Sequence, residues 1–167
     1  MSLKQRLLKN LGLARQTSES YLESFKTPQE WTHQLFPGAN HAMWFAGHMA
    51  MADNFFVGMF APDKVRELPA SYKGLFGMNS TPAADPSAYP SPEEILATMR
   101  ERRAALLAVV EGLSDTDLAQ PCKPGGPPFL TDQASVLEMA VWHEGLHAGQ
   151  ISMTRRALGH KPLMGQG

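Results

Sequence analysis

Six histidines are spread over the 167 residues of the chain, and three of them have the spacing and surroundings of metal ligands. His143 and His147 lie in the stretch WHEGLHAGQI, residues 142–151. On a helix of 3.6 residues per turn they point about 40° apart, one turn above the other. Their Cβ atoms are then roughly 5–6 Å apart. Two imidazoles so placed can converge on one ion at metal–nitrogen distances of about 2.0–2.1 Å. Gln150 and Thr154 continue this seam, and polar groups on an apolar helix need partners if they are buried. An open metal site asks for a third protein ligand. His48 sits midway along a second apolar segment, with Trp44 and His41 on the same face. Alone, such a histidine reads as a hydrogen-bonded core residue. Beside the His143/His147 pair it becomes the third ligand, so that two helices aim three imidazoles at one point.

HEGLH also matches the H-E-x-x-H pattern of zinc peptidases, in which the glutamate is the general base. Glu144 has that sequence position and is the candidate catalytic residue. On the helix it lies about 100° from His143 and about 60° from His147. From there it either reaches the metal's water or holds the second nitrogen of a ligand. Two features count against a peptidase. The residues after His147, AGQISMTRRALGH, offer no further ligand at the usual distance. No edge strand is legible to take up an extended peptide.

The remaining candidates read more plainly. His41 is a helix cap or a hydrogen-bond partner of the site, and His33 and His160 face solvent. Arg155 and Arg156 suit a helix C-terminus better than a substrate anion. Trp44, Phe45 and Trp142 read as core packing, and Met43, Met51, Met139 and Met153 as gap-fillers of a helical core. Phe76 and Met78 are candidates to line or cover a pocket. Cys122 has no activating neighbour in sequence and is read as incidental.

The elements that must position these groups are helices. Strand alternation and hairpin turns are nearly absent. Leucines and aromatics over 3–25 predict a first long helix. Thr27-Pro28-Gln29-Glu30 opens a short one to about Gln34, with a cap, a first-position proline and a glutamate at the third position. A second long helix runs from Ala39 or Asn40 to Phe60, and its apolar residues on most sides predict burial. The connection over 61–91 is rich in Pro, Ser, Gly and Ala, and a loop of that length in a compact domain is usually functional or disordered. Leu75, Phe76, Met78 and Tyr89 suggest that it packs down. Ser91-Pro92-Glu93-Glu94 opens a third long helix to about Leu113, and residues 114–117 start a single short turn. PCKPGGPPF, residues 121–129, breaks the pattern. Thr131 or Asp132 caps a fourth long helix to about Leu158, Gly159 ends it, and the tail from His160 is expected to fray. Four helices of about 30–40 Å and no sheet predict a single all-α domain over 1–167, a four-helix bundle with its site between facing helices.

Bulk properties fit that reading. Hydrophobic residues make up 43% and charged residues 19%, with a net charge of −1. Intermixed charge of that size offers no footprint for nucleic acid and no basic patch for a membrane. With one cysteine no intrachain disulfide can form, which suits a reducing compartment. The N-terminus lacks the pattern of a signal peptide and no apolar run is long enough to span a bilayer. A cytoplasmic protein is expected, without nucleic-acid or membrane partners.

Two motifs make the chain resemble a known family. One is Asn40-His41-x-x-Trp44-x-x-x-His48. The other is His143-Glu144-x-x-His147-x-Gly149-Gln150-Ile151, followed by Arg155-Arg156-x-Leu158-Gly159. With the connection FGMNSTPAADPSAYPSPEE, residues 76–94, they resemble the DinB/YfiT-like metal-binding four-helix bundles over about residues 40–160. The resemblance implies a long link between the second and third long helices. It also implies a divalent metal, often nickel or zinc, on His48, His143 and His147. Characterised members of that family include thiol-dependent S-transferases and isomerases using bacillithiol, mycothiol or glutathione, and many form homodimers. A thiol S-transferase acting on small electrophiles is therefore the expected activity. A hydrolase with Glu144 as base, or a non-catalytic metal-binding bundle, are the alternatives.

Overall fold

The computed structural model describes residues 1–122 and 128–163. Among the described residues seven α-helices follow in order: α1 (Leu3–Leu22), α2 (Pro28–Trp31), α3 (Ala42–Phe60), α4 (Ser71–Phe76), α5 (Pro92–Glu111), α6 (Asp115–Leu118) and α7 (Gln133–Ala157). No strand occurs among the described residues, where an isolated bridge joins Pro121 to Asp132. Most of the starts lie where the sequence placed them, because capping is local chemistry. Thr27, Ser91, Ser114 and Asp132 each accept from the backbone at the third helical position, and the residue at that position bonds back to the cap. Gly159 ends α7 with φ +87°, a backbone conformation that glycine adopts without steric cost. Three bounds differ from expectation. α3 starts at Ala42, with His41 as its cap, and not at Ala39 or Asn40. The chain leaves α1 after Leu22, and α2 is a single turn. Phe25 and Trp31 pack into the core just beyond and within these turns. The breaker over 121–129 and the tail lie partly outside the described residues.

The long helices α1, α3, α5 and α7 form the bundle. Around the ring, α1 packs on α7, α7 on α3, α3 on α5, and α5 on α1. Paired side chains give the directions. Asn40 meets Gln150 and His48 meets His143, so α3 and α7 are antiparallel. Arg15 reaches the carbonyl of Met99 and Arg103 that of Leu11, so α1 and α5 are antiparallel. Arg15 also meets Glu144 and Ser24 meets Arg155, so α1 and α7 run parallel. It follows that α3 and α5 are parallel neighbours. The chain must then return along the whole bundle between them. At 1.5 Å per residue the 19 residues of α3 span about 28 Å. That return is the physical reason for the long 61–91 connection. It contains α4 and two 3₁₀ turns at Pro62–Lys64 and Pro86–Ala88.

The apolar core falls into two clusters. One holds Leu22, Met43, Phe45, Ile95, Met99 and Ile151, and the other holds Leu7, Leu11, Phe56, Leu106, Val110 and Leu137. α4 docks on α3 through Phe76, whose ring lies against Gly47. A Cβ on Gly47 would meet that ring at 2.4–2.5 Å. Three expectations of burial do not hold. Trp142, Met153 and Met78 are exposed, because they point away from the bundle axis or lie on the outside of the connection.

Candidate metal centre

α3 and α7 bring His48, His143 and His147 together, with a ligand-capable nitrogen of each within 4.8 Å of the others. His48 Nε2 lies 3.1 Å from His143 Nε2, and His147 Nε2 lies 3.2 Å from the same atom. Two nitrogens bound to one tetrahedral ion at about 2.0–2.1 Å stand about 3.3–3.4 Å apart. The His48–His143 and His147–His143 pairs are therefore close to ligand spacing, and all three nitrogens lie within 4.8 Å of one another.

The outer nitrogens fix which tautomer each ring adopts. His48 Nδ1 is 2.7 Å from the Phe76 carbonyl oxygen, which can only accept, so Nδ1 carries the proton. His147 Nδ1 donates to Gln150 Oε1 at 2.9 Å, and Asn40 Nδ2 donates to that oxygen at 3.0 Å. Both rings thus turn a bare Nε2 lone pair toward His143. His143 Nε2 can donate a proton to one of them at most. One nitrogen–nitrogen contact is left with lone pairs facing each other, an arrangement that a cation would relieve. This donor set fits a divalent ion.

Burial keeps the three imidazoles neutral, the state a ligand needs. Desolvation lowers all three pKa values. For His143 the neighbouring rings of His147 and His48 add to burial, and its value falls to about 4. Trp44 stacks on His48 with centroids 4.3 Å apart, and its Nε1 donates to Ser80 Oγ at 2.8 Å. Ser80 Oγ in turn donates to the Gly77 carbonyl at 2.7 Å. The ligand from α3 is thereby braced by the segment that follows α4. Phe76 supports the site with its backbone, its ring being buried in the core.

His41 is not part of the triad. It is the N-cap of α3, accepting from Trp44 N at Nδ1 (3.1 Å) and meeting the Ala83 carbonyl at Nε2 (3.0 Å). Burial pushes its pKa down to about 4.

Glu144 lies elsewhere than either role foreseen for it. Its Oε1 accepts from Arg15 Nε at 2.7 Å and its Oε2 from Arg103 Nη2 at 2.6 Å. The residue is fully buried. The 100° offset from His143 turns it into the bundle instead of toward the open side of the triad. Sequence reasoning missed the partners Arg15, Asp53 and Arg103. A signal was present, since Arg15 occupies the buried stripe Leu7, Leu11, Arg15, Ser18, Leu22 of α1. Arg155 is buried as well, with Nε on Ser24 Oγ at 2.6 Å and its guanidinium over the Tyr21 ring. Arg156 is exposed. Cys122 is half-buried with Sγ 2.9 Å from the Asp132 carbonyl, and burial raises its thiol pKa, the opposite of activation.

A bundle of four long helices with a long crossover from α3 to α5 and three converging histidines defines a class of helical proteins that can hold a metal. The chain belongs to the DinB superfamily, whose family model matches residues 10–151. It is similar in fold to a solved structure described as a conserved protein from Enterococcus faecalis. That likeness has a TM-score of 0.71 at 17% identity and covers 96% of this chain and 99% of the other. No curated protein matches the chain at a significant level.

Proposed function

We propose that this protein is a metal-dependent enzyme, and that His48, His143 and His147 hold one nickel or zinc ion. The observation that carries the proposal is the convergence of three Nε2 atoms with two of the outer Nδ1 atoms engaged as donors. Neutral imidazoles suit both metals and leave the ion's full charge uncompensated. Three protein ligands also leave a coordination position open. A divalent ion there supplies Lewis-acid activation of a nucleophile. The protein's own part is to hold the rings in one tautomer, to exclude water on the α3 side with Trp44 and Phe56, and to leave the His147 side open to solvent.

The activity we favour is thiol-dependent S-transfer to a small electrophile, with a low-molecular-weight thiol as co-substrate. Its support is the superfamily together with the absence of an available base at the triad among the described residues, because a thiol is a sufficient nucleophile without one. The hydrolase reading asks Glu144 to act as base, and both of its oxygens are committed to guanidinium groups. A cytoplasmic homodimer is the proposed setting. Trp142, Leu146 and Met153 stand 60%, 47% and 62% exposed along one face of α7, which suits a protein contact. No helix among the described residues is long and apolar enough to cross a membrane.

The test is the metal content of purified, tag-free protein by elemental mass spectrometry, with His48→Ala, His143→Ala and His147→Ala alongside. About one ion per chain, lost in each variant while helical circular dichroism persists, is expected. Thiol consumption is then screened with simple electrophiles. A wild-type protein that takes up neither nickel nor zinc refutes the proposal.

A further inference from the structure

Each of the four long helices sends one charged side chain to a single point inside the bundle. Arg15 comes from α1, Asp53 from α3, Arg103 from α5 and Glu144 from α7, and all four are buried. Asp53 Oδ2 accepts from Arg15 Nη2 at 2.9 Å and from Arg103 Nε at 3.0 Å, and its Oδ1 accepts from Arg103 Nη2 at 2.9 Å. Glu144 accepts from both arginines in turn. The remaining guanidinium nitrogens are engaged too: Arg15 Nη1 reaches the Met99 carbonyl at 2.8 Å and Arg103 Nη1 the Leu11 carbonyl at 2.9 Å. Two cations and two anions leave no net buried charge.

We propose that this quartet sets the register and rotation of α3 against α7 and so the geometry of the three Nε2 atoms. Asp53 and Glu144 are positioning residues of the metal centre, an inference that rests on the triad holding a metal. Its place in the fold carries the argument. On every long helix the charged residue separates members of one apolar cluster from members of the other, as Leu11, Arg15 and Leu22 do on α1 and Met99, Arg103 and Leu106 do on α5. The quartet is thus a layer across the bundle. On α7 its member adjoins His143 in the chain, and on α3 its member follows His48 by little more than one turn.

Apolar packing alone fixes such a site loosely. Leu, Met and Ala contacts are readily exchanged for similar ones. A rotation of α7 by about 20° moves a group at the helix rim, about 5–6 Å from the axis, by about 2 Å. Metal–ligand distances tolerate about 0.2 Å. A buried ionic cluster adds little to stability over well-packed apolar residues, and its best-attested use is to specify register. With four helices bound to one quartet, a slip or rotation of any of them breaks charged bonds that nothing nearby replaces.

The test is Co²⁺ titration followed by visible absorption, with thermal unfolding of the metal-free proteins in parallel. Two variants are compared with the wild type. Arg103→Lys keeps the charge and loses the forked geometry. Arg103→Met/Glu144→Leu removes one ion pair, stays neutral and leaves Arg15 bonded to Asp53. Both are expected to retain helical circular dichroism and cooperative unfolding, while the Co²⁺ dissociation constant rises at least about tenfold and the absorption bands shift or broaden. Unchanged affinity and bands in either folded variant overturn the inference, whatever the unfolding temperature does. Should the double variant fail to fold, Arg103→Lys carries the test alone. A wild type that binds Co²⁺ while the variants match it refutes the positioning role only; a wild type that binds none refutes the metal reading on which it rests.

Discussion

Gly47→Ala tests the link between packing and the metal centre most directly. The new Cβ would stand 2.4–2.5 Å from three atoms of the Phe76 ring. Ordinary contact needs about 3.5–4.0 Å, so ring and helix must separate by about 1 Å or more. Phe76 is fully buried, with Tyr72 and Tyr89 packed against it, so its ring has no free space to enter. Overpacking of this kind costs about 1–3 kcal/mol. For a chain of this size that is a fall of roughly 2–12 °C in the unfolding temperature. The same displacement carries the Phe76 carbonyl away from His48 Nδ1, now 2.7 Å distant. Loss of such an outer hydrogen bond lowers metal affinity about 10–100-fold. Differential scanning calorimetry of the metal-free protein reads the first effect, and competition against a chromophoric chelator reads the second. Phe76→Leu in the Gly47→Ala background should recover part of both, a coupling that a double-mutant cycle exposes. If Gly47→Ala leaves stability and metal affinity unchanged, the close approach of α4 to α3 does not hold the ligand.

Three further outcomes are expected. His41 has a folded pKa of about 4 against 6.5 for the free side chain. The unfolded chain binds the proton first, so this contribution is complete above about pH 6.5 and is lost as pH falls toward 4, about 3 kcal/mol in all. Urea unfolding of metal-free protein from pH 7.5 to 4.5 should show a stability gap over His41→Asn, which keeps a capping side chain, that narrows by about 2–3 kcal/mol; a gap independent of pH contradicts the assignment. Gln150→Leu removes the acceptor of His147 Nδ1 on an exposed position. It should weaken metal binding about tenfold while moving the metal-free unfolding temperature by less than about 2 °C, and equal affinity would show that Gln150 does not orient the ring. Nickel or zinc at about 100 times its dissociation constant should stabilise the fold by about 2.7 kcal/mol, roughly 5–11 °C, reversed by a chelator and absent in His143→Ala; a shift that persists in that variant would place the ion elsewhere.

Much of this protein is legible along the chain because the deciding interactions are short-ranged. A capping box spans four residues, so Thr27 with Glu30 and Ser91 with Glu94 mark helix starts without knowledge of the fold. The left-handed turn at Gly159 and the i, i+4 facing of His143 and His147 are equally local. What tertiary structure decided are relations between helices that no spacing encodes. HEGLH gives Glu144 a position but not a direction of use, and only the meeting of α1, α5 and α7 turns it toward Arg15 and Arg103. Trp142 and Met153 have core chemistry yet face outward, because the face of α7 turned to the bundle is the one that carries Leu137, Ala140, Glu144, Ala148 and Ile151. The 61–91 connection reads as a long loop, and its length has a cause only once α3 and α5 are seen to lie parallel. Gly47 is one small residue among many until Phe76 arrives from 29 positions along the chain to rest on it. Local backbone chemistry fixes where helices begin and end; which faces meet is settled by burial and charge pairing across the bundle, where sequence separation carries no information about distance.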